Sequence, residues 1–274
     1  MTFTTTARVV CGLDTSEHAP AVLGCAVRLA RRLGVPLEAV HSPSEDIFTS
    51  GETRHAELRE GHSAMARIAA LGQVDEITIQ PGPPGAVLRA AMDQNAVLGV
   101  VGSRGRGPLR AALLGSVSSE LAEEASCPTV IVPPGVTMAP LGESPAIVCR
   151  LDGSTNDRPA LHAAAWIASE LGGTLDAVNV RGRLALDTGT EAMSLDDELD
   201  DLGVDPAVRV EAGNPADQIG EVAERHRATL IVVRWDGDVL VPGAVAGRLA
   251  ARSRLPVMIV PPRVRVDALA ASAA

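Results

Sequence analysis

The chain has 274 residues, enough for two domains of ordinary size, and its 46% apolar content lies far from the disordered range. A net charge of −10 argues against broad binding to nucleic acid or to an anionic membrane surface. All 24 basic residues are arginine, which excludes a P-loop lysine on a phosphate and a Schiff base on a side-chain amine. With two Phe, two Trp and no Tyr, the cores must be built from Ala, Val, Leu and Ile, as suits buried parallel strands under Ala-rich helices.

The start of the chain, Met1 to Ala7, has no basic n-region and no apolar h-region, and no later run reaches the roughly 18 apolar residues of a membrane span. A soluble, cytoplasmic protein is therefore expected. β-Branched runs then predict strands near 8–13, 36–41, 75–79, 96–101 and 128–132. Ala-rich stretches of helical period predict helices near 18–33, 52–71, 84–94 and 114–125 between them. Pro36 and Pro128 read as first residues of strands, where a missing N–H is tolerated. Gly135–Pro145, rich in Gly and Pro, reads as a linker.

Beyond the linker the pattern starts again, with strands predicted near 146–151, 174–180, 206–210, 228–233 and 256–260. Shifted by 138, Cys11–Val40 matches Cys149–Val178, with identical pairs at Leu13/Leu151, Asp14/Asp152, Ser16/Ser154 and Gly34/Gly172. Pro-Gly-Pro-Pro at 81–84 answers Ala-Gly-Asn-Pro at 212–215, and Ile-Val-Pro-Pro closes both halves. Only Arg181–Gly203 differs in scale: it is shorter and acidic, so its helix is expected to be curtailed. Asp267–Ala274 reads as a frayed tail. The predicted division is 1–134, a linker at 135–145, 146–266, and a tail at 267–274. Each half is α/β, a doubly wound, Rossmann-like parallel sheet of five strands.

In such a sheet, ligands sit beyond the carboxyl ends of the strands, where the strand order reverses. Asp14 leaves the first strand there and can accept hydrogen bonds from hydroxyl or amino groups. After the fourth strand come Gly102-Ser103-Arg104-Gly105, nine residues, and then Gly115-Ser116. Glycines let backbone N–H groups approach an anion, and the helix starting at Gly115-Ser116 offers free amides and a positive dipole end. The Ser116 and Ser118 hydroxyls add donors, and Arg104, Arg106 and Arg110 add charge. The plainer alternative is a Gly-rich surface loop with a helix cap at Ser116.

Gly-2x-Gly-9x-Gly-Ser, with Asp14 after the first strand and Cys-Pro-Thr-Val-Ile-Val-Pro at the last, resembles the universal stress protein family over essentially the whole chain. In ATP-binding members of that family the aspartate contacts the adenine–ribose side, and the glycines and serine hold phosphates. The resemblance carries those roles to Asp14, Gly102, Gly105, Gly115 and Ser116, all of which match. Gly12, Leu13, Ser42, Arg104, Val117 and Ser118 flank them and complete the candidate set for ATP, with or without Mg, or for AMP or cyclic AMP. One position departs: where the family often has a valine after a His at the end of the second strand, His41 is followed by Ser42, which reduces the apolar contact with adenine.

The second half keeps Asp152, and Val180 stands at the family valine position. Its glycine segment has decayed: Arg234 replaces the first glycine, Trp235 follows, Ser116 is matched to Ala244, and Arg150 replaces the small residue two before the aspartate. Arg234 and Trp235 are expected either to fill the former pocket, with the guanidinium stacked on the indole or paired to Asp152, or to lie on the surface.

The resemblance further implies a stress-response, nucleotide-dependent regulator with at most slow ATP hydrolysis. It also implies antiparallel pairing of Thr129–Val132 with Val257–Val260, an intramolecular pseudo-dimer, with a homodimer left open. Two rivals stand beside it: an ATP-independent interaction scaffold, and an adenylyl-transfer or pyrophosphatase enzyme. Against the last, there is no Gly-x-Ser-x-Gly, His-x-Gly-His or Ser-Gly-Gly-x-Asp-Ser signature. His55 and His62, seven apart on one helix, are too distant for a shared metal, and His41 reads by default as a packed neutral histidine. The acidic run Ser194–Asp201 lacks the glycine and closing glutamate of an EF-hand. Cys11, Cys25, Cys127 and Cys149 have neither zinc nor C-x-x-C spacing and read as small core residues.

Overall fold

The computed structural model describes residues 7–43, 51–70, 73–103, 114–181, 206–237 and 244–264. The first half runs β1 (Arg8–Gly12), α1 (Ala19–Leu33), β2 (Leu37–His41), α2 (Gly51–Ala70), β3 (Glu76–Ile79), α3 (Pro84–Met92), β4 (Ala96–Gly102), α4 (Ser116–Glu124) and β5 (Thr129–Val132). The second runs β6 (Ala146–Leu151), a 3-10 turn at Thr155–Asp157, α5 (Arg158–Leu171), β7 (Thr174–Arg181), β8 (Ala207–Ala212), α6 (Pro215–Arg225), β9 (Leu230–Arg234), α7 (Ala246–Arg252) and β10 (Val257–Val260). The curtailed helix expected in 181–203, the acidic run 194–201 and the tail lie outside the described residues.

The strands form one sheet in the order β3-β2-β1-β4-β5-β10-β9-β6-β7-β8. Within each half all neighbours are parallel, and β5 meets β10 antiparallel, with Val130 opposite Met258. The order reverses between β1 and β4, which opens a crevice at their carboxyl ends. Pro36 and Pro128 sit one residue before their strands, but their carbonyls already accept from Val9 and Gly99, each at 2.9 Å.

Local chemistry repeats with the fold. Pro20 and Pro159 sit in the first turns of α1 and α5, where no N–H is needed. Both helices end on a left-handed glycine, Gly34 at φ 66° and Gly172 at φ 63°. Period-two alternation then sends Val9 and Cys11 to one face of the sheet and Val10 to the other, as it does Ile147 and Cys149 against Val148. On each face a single apolar cluster runs across both halves. The segment 135–145 joins this packing instead of spanning solvent: Val136 and Met138 are buried, and the Met138 sulfur lies 3.5 Å from the Cys25 thiol. Arg32 Nε of α1 donates to the Leu171 carbonyl at the end of α5 (3.1 Å), a second tie between the halves.

All four cysteines are free and buried, and burial pushes the Cys25 and Cys127 thiols up to about 12 and those of Cys11 and Cys149 higher still. A thiolate-dependent disulfide reagent should therefore label none of them in the native protein and all four in denaturant, counted by absorbance. Gly34→Ala places a Cβ in open space but in the left-handed region, so it should cost about 1 kcal/mol in urea unfolding without altering the fold.

Candidate functional site

The crevice is assembled from the ends of β1, β2 and β4 and the start of α4. β1 is laid on β4 with Cys11 opposite Val100, which brings Asp14 and Ser103 out at the same end of the sheet. Gly12 is needed there for space: a Cβ would meet the Leu88 side chain at 2.8 Å and Val101 at 3.0 Å. Asp14 Oδ1 accepts from the Ser16 amide (3.0 Å) and hydroxyl (2.6 Å), which fixes the carboxylate in a turn. Its Oδ2 is buried without a hydrogen-bond partner among the described residues, and so are Thr15 Oγ1 and Ser103 Oγ. Three such polar atoms beyond the ends of two adjacent strands are unusual, because each costs roughly 1–3 kcal/mol when left unpaired.

Neighbouring residues hold this end rigid. Leu13 donates to the Val40 carbonyl (2.9 Å) and accepts from His41 Nδ1 (2.8 Å). The His41 ring is buried against Gly61 of α2, so it packs and ties β1 to β2 instead of facing the crevice. Ser42, in the family valine position, donates to the Gly82 carbonyl at 2.7 Å, where the chain turns into α3 with Gly82 at φ 145°. Gly102 ends β4, and the Ser103 amide reaches the Val132 carbonyl (2.9 Å).

Gly115 is extended (φ −69°, ψ 158°), its amide donates to the Ser103 carbonyl (2.7 Å), and its carbonyl accepts the first bond of α4, from Ser119. The amides of Ser116, Val117 and Ser118 precede that bond and so have no partner within the helix. Ser116 is exposed at this end. Ser118 is buried, and its hydroxyl is taken by the Ser103 (3.0 Å) and Gly115 (2.9 Å) carbonyls, so it holds the loop to the helix. Arg104 and Gly105, with Arg106 and Arg110, lie outside the described residues. Thr15 and Ser103 were not singled out by the sequence. Their exposure as orphans depends on packing that no spacing rule shows.

In the second half the corresponding carboxylate is occupied. Asp152 Oδ1 accepts from the Ser154 amide (2.9 Å), as in the first half, but Oδ2 receives Arg234 (3.2 Å) and lies 3.6 Å from Arg150. Burial alone would raise the Asp152 carboxyl, but hydrogen bonds from Asp157 and Ser154 and the Arg150 guanidinium hold it well below the usual range. Burial, then its hydrogen bond and repulsion with Asp152, push Asp157 up to about 7. Of the two arrangements expected for Arg234, the structure has the pair with Asp152. Trp235 is buried in the apolar cluster on one face, and only its carbonyl meets the guanidinium (3.3 Å). The second-half helix starts later than its counterpart: α4 begins at Ser116 and α7 at Ala246, two residues after the matched Ala244. The C-caps Ala125 and Ser253 and the buried pairs Leu121/Leu249 and Ala122/Ala250 keep the register read from sequence, so Val245 answers Val117.

Two other features lead away from the crevice. A cavity of about 520 Å³ between α6 and α7 has Asp217, Glu221 and Glu224 on one wall and Arg248, Arg252 and Arg254 on the other, so the walls answer each other. On α2, His62 is exposed and the His55 side chain lies outside the described residues. Among the described residues there is no cluster of three metal-binding side chains and no helix long and apolar enough to cross a membrane.

Comparison with known proteins agrees with this architecture. A universal stress protein from Mycobacterium tuberculosis is 30% identical over 161 residues, 54% of each chain, so the match spans about half the length of that relative. One from Mycolicibacterium smegmatis is 27% identical over 292 residues, covering 93% of this chain and 97% of its own. The crystal structure of a universal stress protein from Archaeoglobus fulgidus superposes with a TM-score of 0.70 at 19% identity, covering 93% of this chain and 98% of that one. The model of the Universal stress protein family matches twice, at residues 5–133 and 145–261, and the chain belongs to that family.

Proposed function

We propose that the first half binds an adenine nucleotide, ATP with magnesium carried on its phosphates, and that the chain acts as a nucleotide-dependent regulator in a cytoplasmic stress response. The observation that carries this is the Asp14 carboxylate, fixed through Oδ1 and left with a buried Oδ2 that has no partner among the described residues, at the strand-order reversal. Ribose hydroxyls would donate to Oδ2, and the Thr15 and Ser103 hydroxyls would find partners in the same ligand. Phosphates would take the amides of Ser116, Val117 and Ser118 and the exposed Ser116 hydroxyl, with Gly102, Gly105 and Gly115 keeping side chains clear. Arg104 would add charge. Gly12 and Leu13 shape the wall, and Ser42 offers a polar edge to the base.

This is a binding function with slow hydrolysis at most. Residues 1–134 would be the nucleotide domain and 146–266 its partner, linked by 135–145 and followed by a tail at 267–274. The β5–β10 contact would make them an intramolecular pseudo-dimer, with homodimerisation beyond it.

Calorimetric titration with Mg-ATP, against AMP and cyclic AMP, should find about one nucleotide per chain. Asp14→Ala should weaken binding about tenfold or more, the equivalent of one charge-assisted hydrogen bond. Gly102→Arg, which copies Arg234 onto β4, should pair with Asp14 and abolish binding. Failure to bind at millimolar ATP would instead favour the ATP-independent scaffold, whose partner binding Asp14→Ala would leave intact.

A further inference from the structure

The two halves answer one question at the sheet edge in opposite ways. Gly12 and Gly102 flank Asp14. At the matching positions Arg150 and Arg234 flank Asp152, and Arg234 also reaches Asp157 Oδ1 (3.4 Å). The equivalence is geometric: Gly102 and Arg234 each end the fourth strand of their half, opposite Val132 and Val260. Trp235 donates to Val260 (3.0 Å) as Ser103 donates to Val132.

One residue further on, Asp236 turns its carboxylate onto the start of α7. Oδ1 accepts from the Val245 (3.0 Å) and Ala246 (2.9 Å) amides, while Oδ2 accepts from Val245 (3.1 Å) and faces Arg150 Nη1 (3.4 Å). α7 has only seven residues, so the helix end alone would mean little. The weight falls on the side chains converging there. Arg150 is 8% exposed, is aimed at Asp236 and Asp152, and has an Nε without a partner among the described residues.

We propose that the second half is a self-liganded site, in which the Asp236 carboxylate stands in for a ligand phosphate and Arg234 and Arg150 take the Asp152 carboxylate that a ligand would otherwise use. The internal anion and the two guanidinium groups close the crevice, so the chain's nucleotide capacity is one. This rests on the reading of the first half as a nucleotide site, and its own test does not depend on that half.

Gly115→Val, which puts a side chain into the first-half cradle, serves as the parent chain. In that background Asp236→Ala should lower the thermal midpoint by several degrees. Millimolar inorganic phosphate should recover at least half of the loss while leaving the parent unchanged against chloride of equal ionic strength. Asp236→Asn, which keeps an acceptor for the Val245 amide but drops the charge facing Arg150, should show a smaller loss with the same phosphate response and serves if Asp236→Ala does not fold.

Phosphate acting equally on parent and variant, or on neither, would make Asp236 an ordinary helix cap and overturn the proposal. So would Mg-ATP binding by the Gly115→Val parent. If the unmodified chain binds no Mg-ATP, the first-half reading falls, and the phosphate comparison still decides this one.

Discussion

The antiparallel contact between β5 and β10 is short, with Thr129, Val130 and Ile131 facing Ile259, Met258 and Val257, but the rest of the molecule is organised around it. Both strands are fully buried, and without this pairing each half would present an apolar sheet edge to solvent. Because the strands pair in one plane, the apolar layers beneath α1 and α5 merge into one, and so do those on the opposite face. The segment from 135 to 145 must then cross a filled surface, which accounts for the burial of Val136 and Met138.

On this shared scaffold the two crevices differ mainly in what stands beside a retained aspartate. Glycine at a strand end leaves a carboxylate facing space, and arginine at the same point neutralises it from within the chain. Burying a charge is costly unless it is paired, so a carboxylate oxygen with no partner among the described residues on one side and a cluster of two arginines and three aspartates on the other are two answers to one electrostatic problem. The first leaves an outside group to complete the pairing, and the second completes it in advance.

Much of this was legible before any coordinates, because duplication prints every signal twice. Gly34 with Gly172 and Asp14 with Asp152 mark helix ends and strand ends at a constant offset, and the alternation Val9-Val10-Cys11 gives the strand faces. The site was legible where backbone chemistry dictates residue type, as at Gly102 and Gly115. It was less so where long-range packing decides. Ser118 read as a ligand donor but spends its hydroxyl on two carbonyls, and Leu13 has both backbone groups engaged by β2. The late start of the second-half helix was not legible either: the match of Ser116 to Ala244 holds at the helix end, Ala125 against Ser253, but the first helical residue is Ala246. Asp236 and Asp157 went unnoticed because their arginine partners, Arg150 and Arg234, lie 86 and 77 residues away and neither aspartate belongs to a motif.

The covalent continuity of β5 and β10 also changes the mass action of the assembly. Two separate chains joined through the same strands would dissociate on dilution, and each copy would carry an identical crevice. Here the second partner is always present at the effective concentration set by a packed connection, so the joined sheet persists at any expression level. Identity between the partners is no longer enforced by symmetry either, so one crevice can take on internal side chains while the other stays open to ligand.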